Sequence, residues 1–584
     1  MPGTTAGMTR TTAHDLAILA SLPLLLVLFN DYWGFTSTQS AFIDPWLYVA
    51  RFLHPKTQLM AFPTGYYGDR LSYTIPGALL YHALGPWMGN YALKLVQIYT
   101  TVFALYFLIH RLFNQRTALF CCALICVHPY FLASFGWDYV NGAGLAYCAL
   151  TLMLILRAAQ SPSYRLDLIL AGACCVSLLT THLLWLSLAW MFPLVFYVAN
   201  RNGSKHPLAG SLIAFLFGGF AVFCFYCGIY HSITGRWFYL MNTAAGFLNA
   251  IAKPTHRLVW PVRNWISRVH WLDHYFCLLP LSLWLLARRE KPVQKTIGSA
   301  LFVGAFSTMW VSQWMGFGFP NAPEYASFLF PAYLMAVAAL VTDRVSAISQ
   351  RGYACLISVT LAVGAAFIFL NGRLWALASP LESWVSARPC LEPVWGQQVL
   401  IVSALGLLLT AFICSRLLGS GKALSLYTTG MVLVFSLQLA IGVDPGWFSG
   451  TSDYSNKQGF QMLLEGDAWI HQRRENRRLL FWYDENEPRQ GIVVGLSSLF
   501  EWGYSLLNTR LPGLTADDRQ KLAAQPHIVC VSWRPERLQE ARSMLASSGL
   551  VLASWEETTI RSAGLQLHLG FAQLKPGASS KYPR

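Results

Sequence analysis

The sequence predicts a polytopic α-helical membrane protein with about thirteen transmembrane helices and a C-terminal soluble α/β domain. The 584 residues are 55% hydrophobic and 12% charged, with a mean hydropathy of +0.42, whereas soluble proteins carry about a quarter charged residues. Apolar runs of roughly 20 residues, the length that spans a bilayer, recur along the chain. A charged stretch over 445–584 instead has the pattern of a small soluble domain.

The net charge of +15 comes from basic residues scattered among short loops between the apolar runs. Such scattering fits the tendency of cytoplasmic loops to be basic better than it fits a nucleic-acid surface. We therefore expect membrane lipids, and no nucleic acid, among the partners.

The first apolar run begins near Leu16 and ends near Asp31, with no small-residue cleavage site after it. It therefore reads as an anchor rather than a removed signal peptide. Further runs, each long enough for one helix, lie near 91–110, 117–135, 139–157, 208–230, 274–288, 296–316, 325–342, 353–370, 397–415 and 423–443.

The stretch 168–199 is too long for one transmembrane helix and short for two. Its flanks are both basic, with Arg157 and Arg165 before it and Arg201 and Lys205 after it. Because cytoplasmic flanks are typically basic, we expect two crossings and a tight outer turn at 180–182.

This choice divides the chain into a transmembrane module, 1–444, and an outer domain, 445–584. The remaining outer segments are 31–90, a short loop at Asp138, 231–273, 317–324 and 371–396. Within the tail, the segments His527–Trp533, Pro535–Leu545 and Leu550–Trp555 read as strand, helix and strand.

The thirteen cysteines do not form a disulfide framework, because most lie inside apolar runs. Cys390 and Cys530 fall in extramembrane segments, so we expect one disulfide at most. Cys224 and Cys227 have CxxC spacing but no second pair nearby, which favours packing over metal binding. No compact motif indicates a metal or other cofactor, although scattered carboxylates could bind a divalent ion.

The long loop 31–90 is rich in acids, cations and aromatic residues. Its segment Pro45–Leu53 predicts an interfacial amphipathic helix, with Trp46 and Tyr48 at the depth of the lipid headgroups. Further along lie four candidate ligand-binding residues: Tyr66, Tyr67, Asp69 and Arg70.

The second long loop, 231–273, carries several cations, among them Lys253, Arg257 and Arg263. An outer loop this basic departs from the usual charge distribution and suggests an anionic ligand such as a lipid phosphate. Contact with ordinary lipid headgroups is the competing explanation.

These features together resemble the GT-C superfamily of polyprenyl-phosphate-sugar-dependent glycosyltransferases. The layout is similar to the protein O-mannosyltransferase and aminoarabinose transferase branch, which has thirteen spans and an outer C-terminal domain. Members of that branch commonly have Asp-Glu after the first helix, where this chain has Asp44-Pro45. By position, Asp44 matches the catalytic acid, Asp138 the second acid and Arg70 a cation near the donor phosphate.

The resemblance implies transfer of a sugar from a polyprenyl-phosphate donor to a hydroxyl of a glycan, lipid or protein acceptor. It also implies a bacterial inner membrane, with the active site and C-terminal domain on the periplasmic side. The chemistry needs one carboxylate as general base for the acceptor hydroxyl. It also needs cations to stabilise the departing phosphate.

Each candidate residue also has a purely structural explanation. Asp44 and Asp138 could cap helices, Asp69 and Arg70 could form a local ion pair, and Tyr66 and Tyr67 could belong to an aromatic belt. His182 could meet substrate at the outer turn or be a buried histidine, and Glu324 could interact with the N-terminus of a helix.

Two further classes of protein compete with the enzyme: a transporter or flippase of a lipid-linked sugar, and a non-catalytic membrane scaffold. A transporter is expected to have ionisable residues deep in its spans or internal repeats. We expect few such charges, since Lys94 lies near a helix end and can extend its amine towards the interface. A scaffold leaves the two elaborate loops without an explanation, so the sequence favours the enzyme.

Overall fold

A computed structural model describes a large part of the chain: residues 10–29, 44–61, 67–126, 129–136, 139–240, 243–245, 248, 292–314, 330–369, 456–474, 479–483, 490–500, 515–525, 527–546, 551–562 and 564–575. The chain divides into two compact units. The helical unit comprises Met1–Asn30, Leu59–Gly136 and Val140–Ser449. The mixed unit comprises Asp31–Gln58, Trp137–Tyr139 and Gly450–Arg584.

The helices before residue 240 include several that are long and apolar. They are α1 (Arg10–Phe29), α2 (Asp44–Leu53), α3 (Pro55–Ala61), α4 (Leu71–Leu112), α5 (Gln115–Cys126), α6 (Pro129–Gly136), α7 (Asn141–Ala158), α8 (Tyr164–Thr181), α9 (Leu186–Ala189), α10 (Met191–Asn202) and α11 (Leu208–Thr234). Three more follow: α12 (Pro292–Trp314), α13 (Phe330–Ala347) and α14 (Gln350–Phe369).

Five helical segments among the described residues are long and apolar enough to cross a membrane: Leu71–Leu112, Asn141–Ala158, Tyr164–Thr181, Leu183–Asn202 and Leu208–Thr234. Many large apolar side chains on α11 are exposed in the isolated chain, including Ile213, Phe217 and Phe220. Lipid is the natural solvent for such a surface. The chain is an integral membrane protein.

The stretch 168–199 contains two apolar segments, as its basic flanks predict. Helix α8 ends at Thr181, and a 3-10 turn over Leu183–Trp185 leads into α9 and α10. His182 forms the corner, with extended backbone angles and a ring nitrogen that accepts a hydrogen bond from the backbone N–H of Leu184.

Helix α4 is sharply kinked at Gly85, whose φ of 79° is unfavourable for any residue with a side chain. Pro86 follows directly, and the two arms of the helix meet closely near Gly89. Across this bend, the amide nitrogen of Asn90 donates to the Tyr81 hydroxyl at 3.0 Å. The sequence predicts a span at 91–110 but not the arm that precedes it.

The C-terminal part of the mixed unit is an α/β domain. Its elements are α15 (Asn456–Arg474), β1 (Leu480–Tyr483), α16 (Gln490–Phe500), α17 (Ala516–Ala524), β2 (His527–Ser532), α18 (Pro535–Ala546), β3 (Val551–Ser562) and β4 (Leu565–Lys575). The strands form one sheet in the order β1-β2-β4-β3. Strands β1 and β2 are parallel, and the other two pairs are antiparallel.

Apolar packing holds this domain together. Trp482, Cys530 and Leu545 lie in a buried cluster that α18 shares with the sheet. Thr515 is the N-cap of α17 and forms a capping box with Asp518. The Thr515 hydroxyl accepts a hydrogen bond from the backbone N–H of Asp518, and the Asp518 carboxylate accepts one from the backbone N–H of Thr515. The predicted strand, helix and strand over 527–555 correspond to β2, α18 and the start of β3.

Two expectations about exposure need correction. Trp46 and Tyr48 do not face lipid headgroups, because both are fully buried. Lys94 does not reach solvent: it is 1% exposed, and its amine donates to the carbonyl of Gly136 at 3.0 Å. Cys530 is a free, buried thiol, while Cys390 and the predicted boundary at 444/445 lie outside the described residues.

Candidate functional site

The end of the first long loop forms a buried turn over residues 67–69, just before α4. Asp69 is 1% exposed and Arg70 2% exposed, and Tyr67 is also buried. The carbonyl of Arg70 accepts hydrogen bonds from the backbone N–H groups of Tyr73 and Thr74, both at 3.0 Å. Arg70 is therefore held at the N-terminus of a long helix, where the helix dipole adds positive potential.

Asp69 connects the first long loop to the second. One of its carboxylate oxygens accepts hydrogen bonds from the Thr243 hydroxyl at 2.6 Å and from the Thr243 backbone N–H at 3.0 Å. Charge-assisted hydrogen bonds of this kind are stronger than neutral ones. Two segments separated by 174 residues in the sequence are thus joined at one buried carboxylate.

His182 brings the turn after α8 to the same region. Burial and the positive charge of Arg70 lower the pKa of His182 well below its usual value. Its Nδ1 accepts from the N–H of Leu184 at 3.2 Å. In the neutral ring the proton therefore resides on Nε2, which makes that nitrogen a hydrogen-bond donor.

Tyrosine rings line the adjoining part of the helical unit. Tyr226, Tyr230 and Tyr239 pack together with Leu59 and Leu71 in one buried cluster. Burial is the largest cause of the raised pKa of the Tyr239 hydroxyl. Electrostatic repulsion from Tyr226, Cys227 and Asp69 raises this pKa further. Tyr239 therefore stays protonated at neutral pH, and its phenol adds no negative charge next to Asp69.

Asp44 belongs to the mixed unit, where it is the first residue of α2 and is partly exposed. An acidic residue in the first turn is favourable to the helix, as the capping explanation requires. The role of Asp44 as a general base stays a prediction.

The remaining predicted site residues lie outside the described part of the chain and stay predictions: Tyr66, Asp138, Lys253, Arg257, Arg263 and Glu324. Among the residues that the structure does describe, no group of three or more histidine, cysteine, aspartate or glutamate side chains could hold a metal ion.

Two polar residues of this region escape prediction from the sequence. Thr243 carries no charge and lies in an apolar setting, so nothing marks it as the partner of Asp69. Lys94 can be singled out from the sequence, because an ionisable residue within an apolar run is uncommon and often functional. It holds the carbonyl of Gly136, directly before Trp137 and Asp138.

Comparison with solved structures finds distant likeness only. The aminoarabinose transferase ArnT from Cupriavidus metallidurans, crystallised with undecaprenyl phosphate, is 14% identical, with a TM-score of 0.44 over 99% of this chain and 100% of ArnT. The apo form of ArnT gives 13% identity and the same TM-score, over 96% of this chain and 97% of ArnT. The oligosaccharyltransferase of Archaeoglobus fulgidus in its apo form is 12% identical, with a TM-score of 0.40 over 84% of this chain and 64% of that chain.

ArnT belongs to the branch of the GT-C superfamily that the sequence resembles. No protein-family model matches the chain, and no curated protein matches it. The functional proposal below rests on the residues of this chain, because likeness at these TM-scores decides neither mechanism nor substrate.

Proposed function

We propose that the protein is a membrane glycosyltransferase that moves a sugar from a polyprenyl-phosphate donor to an acceptor hydroxyl at the outer face of a bacterial inner membrane. One observation carries the proposal. The turn at 67–70, the corner at His182 and the second loop at Thr243 converge on Asp69 and Arg70. They come from three segments that the charge pattern assigns to one side of the membrane.

The groups that meet at Asp69 and Arg70 suit the binding of a phosphate. A buried guanidinium at a helix N-terminus is a strong site for an anion, because its fork matches two phosphate oxygens. His182, which burial and Arg70 keep neutral, is assigned a place beside the phosphate. Asp69, occupied by Thr243, holds the turn that carries Arg70. In this scheme three cations of the second loop that lie outside the described residues supplement Arg70: Lys253, Arg257 and Arg263.

In the proposed reaction, the Asp44 carboxylate takes the proton of the acceptor hydroxyl. The acceptor oxygen then attacks the anomeric carbon, and the bond from that carbon to the phosphate oxygen breaks with inversion of configuration. The polyprenyl phosphate leaves as an anion that Arg70 stabilises. The scheme assigns no step to a metal.

The flippase alternative has one observation in its favour. Lys94 is buried within the α4 span, and buried charges in spans often mark transport pathways. Its amine is however engaged by the Gly136 carbonyl. Reconstituted protein that flips a lipid-linked sugar without transferring it to any acceptor would favour this alternative.

The donor site is tested by comparing Arg70→Ala with Arg236→Ala. Both arginines lie in the predicted outer segments, but Arg70 is buried and the Arg236 side chain is exposed. We expect the dissociation constant for a polyprenyl phosphate to rise about tenfold or more in Arg70→Ala, the scale of a lost charged hydrogen bond. Arg236→Ala should bind normally. Equal weakening in both variants would indicate general headgroup contact and contradict a specific site.

The base is tested with Asp44→Asn, since asparagine caps a helix about as well as aspartate but accepts no proton. We expect a folded protein that binds donor normally and transfers sugar at least about a hundredfold more slowly. Normal turnover in a direct transfer assay would leave Asp44 with the capping role alone.

A further inference from the structure

Helix α2, which begins at Asp44, is built into the C-terminal domain. The segment Asp31–Gln58 clusters with Gly450–Arg584 in one compact unit. The first part of the first long loop, through Gln58, and the last domain thus belong to one compact unit, although they are far apart in the sequence. What fixes α2 therefore lies in α15 and α16.

The first anchor is Trp46, two residues after Asp44. Its indole is fully buried and lies against Gly495 of α16. A Cβ atom at position 495 would lie 2.9 Å from Cε2 of this indole, closer than van der Waals contact allows. Glycine at 495 is therefore required for α2 to approach α16 this closely.

The second anchor is at the other end of α2. The backbone N–H of His54 donates to the carbonyl of Ala50 at 2.8 Å, so His54 continues the last turn of the helix. Its Nε2 lies 3.0 Å from both carboxylate oxygens of Asp467 in α15. The His54 ring also stacks on His471, with ring centroids 4.7 Å apart and an interplanar angle of 7°.

A third contact follows in α3. The amide nitrogen of Gln58, a buried residue, donates to the carbonyl of Leu499 at 2.7 Å, near the end of α16. Three contacts at positions 46, 54 and 58 leave α2 little freedom to slide or rotate against the domain.

We infer that His54 and Asp467 are positioning residues for Asp44, so that the C-terminal domain sets the placement of the proposed base. This inference rests on the proposed function. Asp44 and His54 are ten residues apart, about 15 Å along a helix. A helix transmits displacement over this distance as a rigid element. A shift of about 1 Å in a reacting group can cost about a hundredfold in rate.

The experiment compares three substitutions in the full-length protein. Asp467→Asn weakens the contact with His54, and Asp467→Glu keeps the carboxylate. Glu556→Gln is the matched control, because it removes the 2.8 Å ion pair between Arg473 of α15 and Glu556 of β3 without touching α2. His54→Gln tests the same contact from the other side if Asp467→Asn does not fold.

The first measurement is hydrogen exchange of the amides of α2, which needs no catalytic activity. We expect Asp467→Asn to speed exchange over 44–53 about tenfold or more while β2 stays protected. Glu556→Gln and Asp467→Glu should leave α2 close to wild type. Unchanged exchange in both Asp467→Asn and His54→Gln would overturn the inference.

The second measurement is sugar transfer. We expect Asp467→Asn to lower kcat about tenfold with an unchanged KM for the donor, and Asp467→Glu to recover most of the loss. A loosened α2 with normal kcat would overturn the link to Asp44. A wild-type protein that transfers no sugar would refute the proposed function, while the exchange data would still decide whether the domain holds α2.

Discussion

At the scale of single residues, the environment of His182 decides its charge. Its Nδ1 is occupied by the N–H of Leu184, and burial and Arg70 both disfavour the imidazolium. A neutral histidine beside Arg70 avoids a second buried positive charge.

The lowered pKa of His182 predicts a loss of stability in acid. The unfolded histidine, with a pKa near 6.5, binds a proton more readily than the folded one, so stability falls as pH drops below about 6.5. The loss is at most about 1.4 kcal/mol per pH unit from this residue. We expect the thermal midpoint in detergent to fall less between pH 7 and pH 5 in His182→Gln than in the wild type. Identical pH dependence in the two proteins would contradict the assigned protonation state.

The sequence singles out Asp69, Arg70 and His182 as candidates because ionisable residues stand out in the predicted outer loops; their part in binding stays a prediction. It could not pair Asp69 with Thr243, since a hydroxyl in an apolar segment has no distinguishing pattern. It misjudged Lys94 because hydropathy along a run does not indicate which side of the helix faces other protein.

At the scale of single elements, the kink in α4 depends on small residues. A Cβ atom at position 89 would lie 2.6 Å from the Cα of Tyr81, so the two arms of the helix can approach only where the side chain is hydrogen. This bend places the start of α4, which follows Arg70, on a separate arm from the part of the helix that follows Pro86.

Gly89→Ala should therefore destabilise the protein, whereas Gly228→Ala in α11 should not. A Cβ at 228 would meet nothing within 4 Å. Overpacking costs typically about 1–3 kcal/mol, while glycine to alanine in an open helix position gains up to about 1 kcal/mol. Thermal unfolding in the same detergent should show a lower midpoint for Gly89→Ala only. Equal midpoints would mean that the arms can separate at no cost.

Elements with strong periodicity were predicted correctly, such as β2 and α18. The second half of β3 and all of β4 were not, because their alternation is irregular and their pairing is stabilised by tertiary contacts. Within 168–199, where apolar length alone was ambiguous, the charge of the flanking residues predicted two segments, and the structure has two apolar helical segments there, Tyr164–Thr181 and Leu183–Asn202.

At the scale of the whole molecule, composition identified a membrane protein. It could not show that 31–58 packs with 450–584, because contacts over more than four hundred residues leave no local pattern. The segment Pro45–Leu53, predicted as an interfacial helix, instead belongs to α2, which packs on α16. His54, directly after α2, contacts α15.

The predicted crossings can be tested by labelling with a membrane-impermeant maleimide. Ser163 and Ser204 are exposed in the loops before α8 and before α11, and Ser232 is exposed in the last turn of α11. We expect Ser232→Cys to react in intact cells, and Ser163→Cys and Ser204→Cys to react only after permeabilisation. The unsubstituted protein is the control for native thiols. Reaction of Ser163→Cys and Ser204→Cys from opposite sides would mean a single crossing between them.

The docking of α2 also determines the order of events during biosynthesis. Gln58 and its partner Leu499 are 441 residues apart, and ribosomes add about 5–20 residues per second. The nascent α2, with its tryptophan and tyrosine rings, therefore waits roughly 20–90 s before α16 exists to cover it. Until then its apolar side can be covered only by lipid, a chaperone or other parts of the growing chain, which exposes this short helix to misfolding while the protein is made.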